Sequence, residues 1–96
     1  KIMALKNKLP ETVHPYFKTT VFTQATVPKK LLSQHNLKKG TWGLLYVQKG
    51  EVKYFLDKKT EPLAIITSGN SQVIETEVKH YISPSDDAAF YIEFYK

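Results

Sequence analysis

Cysteine is absent from the 96 residues. With it go disulfides, thiolate nucleophiles and cysteine-based zinc sites, so any metal would have to be held by His, Asp or Glu. No apolar run approaches the roughly 18–20 residues of a membrane span, and Lys1 to Pro10 lacks the apolar segment of a secretory signal. Together these point to a cytoplasmic chain that does not enter the membrane. There is no Ser-His-Asp order, no glycine-rich phosphate loop and no zinc-protease motif. Internal repeats, low-complexity tracts and convincing long helical patterns are missing too.

One sign of charge predominates, 14 basic residues against 9 acidic, for a net charge of +5. Nucleic acid or an anionic surface is the first partner such a balance raises. The lysines, however, fall in pairs, Lys29-Lys30, Lys38-Lys39 and Lys58-Lys59, in stretches that read as turns rather than along one strand or helix face. Solvated loop charge accounts for them, and nucleic acid is an unlikely partner.

A chain of this length makes one modest core. The reading is an unpatterned basic arm over residues 1–8 followed by a single domain over 9–96. Pro10, Pro15 and Pro28 argue against helix and central strand in the first third, leaving short edge strands, the best of them Thr19 to Thr23. Lys29 to Asn36 reads as extended. Thr41–Val47 and Glu51–Leu56 are rich in β-branched and aromatic residues, and Gln48-Lys49-Gly50 between them predicts a hairpin turned on a positive-φ glycine. Further strands follow at Glu61–Thr67, Gln72–Ile74, Val78–Ser83 and Ala89–Tyr95. The last is long and central, with Phe90, Ile92 and Phe94 on one face. Short strands with turn signals every eight to twelve residues predict an all-β sandwich or barrel. Five Phe and six Tyr exceed what a small core readily covers, which favours a homodimer.

His80 alternates with Val78 and Ile82 and so should point inward, either as a metal ligand or as a core histidine bonded to a backbone carbonyl. His35 is the natural second ligand, against a reading as loop surface. Glu75 and Glu77 would share a face if their segment is extended, and either could complete two histidines and a carboxylate, a set suited to one divalent zinc, iron or manganese ion. Trp42 begins the face of Leu44 and Tyr46, where core packing competes with a place in a pocket. Glu93 could hydrogen-bond a ligating histidine or simply be an exposed strand charge. His14 reads as loop surface.

His35, Gly40-Thr41-Trp42-Gly43 and Gly50 at their spacings, the run Val73 to His80 and the ending Phe90-Tyr91-Ile92-Glu93-Phe94-Tyr95 together resemble the small cupin-like domain that stands alone in YeaR-type proteins. The same domain precedes the methyltransferase in some forms of the tellurite-resistance protein TehB. The resemblance runs from Leu9 to Lys96. It implies a cupin-like jelly roll or small β-barrel and a link to tellurite resistance or stress response, with a metal ion or small oxyanion at the barrel mouth. It also leaves open a metal-dependent oxygenase or isomerase, or an interaction module for a separate methyltransferase. Thr76 and Lys79 depart from the family pattern. The His-x-His and following Glu of metal-dependent cupins are absent: counting back from Gly50 meets Gly43, Lys39 and Leu37.

Overall fold

A computed structural model describes residues 8–96; the expected basic arm lies outside them except for Lys8, which is exposed. Eight strands form two antiparallel sheets: β1 Pro15–Lys18, β2 Phe22–Thr23, β3 Trp42–Lys49, β4 Glu51–Leu56, β5 Ala64–Thr67, β6 Ser71–Ile74, β7 His80–Pro84 and β8 Ala89–Tyr95. The larger sheet runs β1-β8-β3-β6, with β2 also paired to β8. The smaller runs β5-β4-β7. β8 is central as its alternation predicts, and all-β architecture is borne out.

The core lies between the sheets. Leu45, Val47, Ile74, Phe90 and Ile92 from the larger meet Val52, Tyr54, Ile66 and Ile82 from the smaller. Each of these side chains contributes on the order of 1.5–3 kcal/mol on full burial. The side-chain period of two decides which residues take part.

Four local expectations are corrected. The run Thr41–Leu56 is no hairpin, since β3 pairs with β6 and β8 whereas β4 pairs with β5 and β7. Gly50 is the corner at which the chain leaves one sheet for the other. Its φ is +68°, and a Cβ there would stand 2.7 Å from Ser85 Oγ and 2.9 Å from the Ala88 Cα. The glycine signal was therefore real, but the turn it permits joins layers instead of ladder partners. Pro28 is followed by a 3₁₀ turn, Lys29–Leu32, where an extended segment was expected. On β3 the face turned to the other sheet is Gly43, Leu45 and Val47, so Trp42, Leu44 and Tyr46 occupy the opposite face of the larger sheet, where Trp42 is nonetheless buried, as core packing would have it. Lastly, the segment before His80 is not extended throughout. It turns at Thr76–Glu77, with Glu77 at φ +61°.

Candidate site: a buried cross-strand histidine pair

His80 opens β7 and, with Ile82 and Pro84, faces the interior. It is 1% exposed, as its alternation requires. His35 lies in the loop after the 3₁₀ turn and joins β7 as a single bridged residue. Its N–H donates to the His80 carbonyl at 3.0 Å, and the His80 N–H returns the bond to the His35 carbonyl at 2.8 Å. Two residues that exchange both backbone bonds stand directly opposite each other, with their side chains on one face of the ladder. The two imidazoles accordingly meet edge to face, ring centroids 4.1 Å apart and planes at 64°.

Each ring is anchored in the same way. His80 Nδ1 lies 2.9 Å from the Val78 carbonyl and His35 Nδ1 lies 2.9 Å from the Ser33 carbonyl. A carbonyl oxygen only accepts, so both Nδ1 atoms carry a proton, and in a neutral ring so held Nε2 is the nitrogen with the lone pair. A backbone carbonyl on the far nitrogen is how metal-bound imidazoles are commonly oriented. Burial holds the His80 imidazole well below its ordinary range, to about 4, against the opposing effect of the Val78 carbonyl; the neighbouring His35 adds a smaller push in the same direction. His80 is thus neutral at physiological pH, the form that ligates.

Tyr54 completes the interior side. Its ring stacks on His80 with centroids 5.4 Å apart and planes at 29°. The residue is wholly buried, and its hydroxyl has no hydrogen-bond partner among the described residues. An unpaired buried hydroxyl costs about 1–3 kcal/mol. Burial, with a further push from the Glu75 carboxylate, drives the phenol upward and keeps it protonated.

The structure gathers the expected candidates only in part. His35 and His80 come together; Glu75 is half-buried and acts electrostatically on Tyr54. Glu77 is exposed on the turn, its N–H donating to the Leu37 carbonyl. Among the described residues no group of three His, Cys, Asp or Glu side chains is placed to hold a metal, so the expected set of two histidines and a carboxylate is not assembled. Trp42 and Glu93 project from the outward face of the larger sheet, with that sheet between them and the histidines, because Gly43, Leu45, Ile92 and Phe94 take the inward positions. There Glu93 accepts a hydrogen bond from the Tyr95 hydroxyl at 3.1 Å. Tyr46 stacks on Tyr91 at 4.9 Å, and the Lys18 ammonium sits 5.5 Å over Tyr91. Burial, then Glu93, raises Tyr95 to about 12.

A family model described as the TehB-like domain matches residues 18–92. The chain belongs to the TehB-like domain family. Two solved structures agree with that assignment. One is a protein of Escherichia coli K12, 28% identical, with a TM-score of 0.80, the match covering 93% of this chain and 95% of that one. The other is TehB from Haemophilus influenzae, 30% identical, with a TM-score of 0.77, covering 88% of this chain and 32% of that one. This TehB-like chain therefore corresponds to about a third of the Haemophilus protein. No curated protein matches.

At the family position where Thr76 departs from the expected pattern, its hydroxyl donates to the Lys38 carbonyl at 2.8 Å and accepts from the Gly40 N–H at 2.9 Å. The side chain thus ties the loop that follows His35 to the turn that precedes His80. Sequence reasoning about this TehB-like domain missed Tyr54. The signal was present: alternation put both Tyr54 and His80 on inward faces, and a tyrosine facing inward must find an acceptor for its hydroxyl.

Proposed function

We propose that this TehB-like domain is a small binding module whose ligand is a divalent metal ion held by the Nε2 atoms of His35 and His80, in a family whose name links it to tellurite resistance. The observation that carries the reading is the pair itself: two imidazoles in cross-strand register, each donating its Nδ1 proton to a backbone carbonyl, so that Nε2 is the nitrogen each would present to a ligand. The same fact weighs against direct capture of an oxyanion, which needs donors or positive charge where this pair offers lone pairs. Two nitrogen donors, with no group of three ligating side chains among the described residues, favour zinc or iron over manganese, which prefers oxygen ligands. Two ligands also leave coordination positions for water or another oxygen donor.

Zinc(II) titrated by calorimetry into protein purified without a histidine tag tests this. His35 is only half-buried, so His35→Ala spares the core, and it should weaken zinc binding at least tenfold. Equal zinc affinity in the variant and the parent would refute the pair as the site.

A further inference from the structure

We infer that the Tyr54 hydroxyl belongs to this site and donates a hydrogen bond to an oxygen atom held beside the histidine pair, so that the domain takes its metal together with a small oxygen ligand, water or an inorganic oxyanion. The inference rests on the metal reading of the pair and goes further, because it names what fills the remaining coordination positions. Three observations support it. Tyr54 is wholly buried and its ring lies against His80. Its hydroxyl is without a hydrogen-bond partner among the described residues, and a buried donor is stable only when an acceptor reaches it. The two histidines cannot both bind a metal and supply that acceptor, since each Nε2 lone pair is then engaged and each Nδ1 is already bonded to a carbonyl. An oxygen bound to the metal would supply that acceptor. An oxygen on a two-histidine metal carries negative charge or a polarised lone pair and suits a phenolic donor.

Division of labour follows. The histidines supply affinity for the metal, the metal supplies positive charge, and Tyr54 selects an oxygen ligand over one without lone pairs. An oxyanion that the pair would repel on its own becomes acceptable once the metal is in place.

The test compares the parent with Tyr54→Phe, which removes the hydroxyl and keeps the ring against His80. Zinc(II) affinity is measured first, then the affinity of the zinc-loaded protein for sodium selenite, with the melting temperature of the metal-free form alongside. The expected result is a three- to tenfold loss of selenite affinity on the loaded protein with a metal-free melting temperature equal to or above that of the parent, since an unpaired hydroxyl has been removed. Unchanged zinc and selenite affinities in Tyr54→Phe, together with loss of zinc binding in His35→Ala, would overturn this inference and leave the histidine pair standing. A lower metal-free melting temperature with unchanged affinities would make Tyr54 structural and overturn it as well. A parent that binds no zinc would remove both.

Discussion

Two clusters of aromatic and titratable side chains lie on opposite faces of the larger sheet, and they differ in what they leave unsatisfied. On the outward face, Tyr46, Tyr91, Glu93, Tyr95 and Lys18 serve one another, through a stacked ring pair, a hydroxyl on a carboxylate and an ammonium over a ring. On the inward side, His35 and His80 are each held through Nδ1 by a backbone carbonyl, yet the Tyr54 hydroxyl beside them has no hydrogen-bond partner among the described residues. Both clusters fix geometry, but only the inner one fixes geometry and keeps binding capacity in reserve. Shifted ionisation alone would not have separated them, since Tyr95 and His80 are both displaced by burial. The census of hydrogen bonds does.

The largest expected break in this comparison comes from truncating each cluster. His80→Ala should cost about 2–4 kcal/mol, because it opens a cavity in the core and strands the Val78 carbonyl. Tyr91→Ala, which removes one ring of a surface stack, should cost about 1 kcal/mol. Urea unfolding of both variants measures the difference, and a costlier Tyr91→Ala would invert the assignment of inner and outer.

A second contrast is pH. In the metal-free protein His80 protonates only near 4, whereas in the unfolded chain it protonates near its ordinary 6.5. Between those values the unfolded state binds more protons, so stability falls as pH drops from about 6.5 to about 4 and is unaffected by this group above that window. The full loss is at most about 3 kcal/mol. His80→Gln should flatten this part of the profile, and urea midpoints taken across that range would expose a variant that retains the parent's slope.

The smallest effect belongs to the outer cluster. With Glu93→Gln the carboxylate that accepts the Tyr95 hydrogen bond loses its charge, so the Tyr95 phenol should ionise below its present value of about 12. Ultraviolet titration of tyrosinate at alkaline pH would record this, and an unmoved curve would separate Glu93 from the tyrosines.

The two faces were not equally legible in the sequence. Period-two alternation placed His80 inward and Phe90, Ile92 and Phe94 on one side of β8, since burial on one face of a strand leaves a one-dimensional trace. On β3 the pattern misled. Leu44 and Leu45 are both apolar, so the larger Trp42 and Tyr46 suggested one face while the core took Gly43, Leu45 and Val47. Gly43 reads as a weak core residue until its surroundings are known: the Ile74 side chain lies over it, 3.2 Å from where a Cβ would be. His35 beside His80 could not be derived from spacing at all, since a single bridged residue in a loop has no periodicity to reveal it. Glu77 was lost for a comparable reason. Its left-handed backbone conformation breaks the extended run that would have aligned it with Glu75.

The corner at Gly50 also decides when, during folding, the interior can exist at all. Because it sends β3 and β4 into different layers, the neighbouring strands that could have zipped together first never do. Among the described strands only β4 and β5 pair as sequence neighbours. The large sheet closes only when β8 meets β1, with Tyr95 opposite Pro15. Such a topology must meet loop-closure entropy before its ladders repay it, and chains of this kind fold in roughly milliseconds to seconds instead of microseconds. His35 and His80 are therefore brought into register only when segments distant in sequence find each other, and a metal that needed both imidazoles would engage only a chain in which they have met.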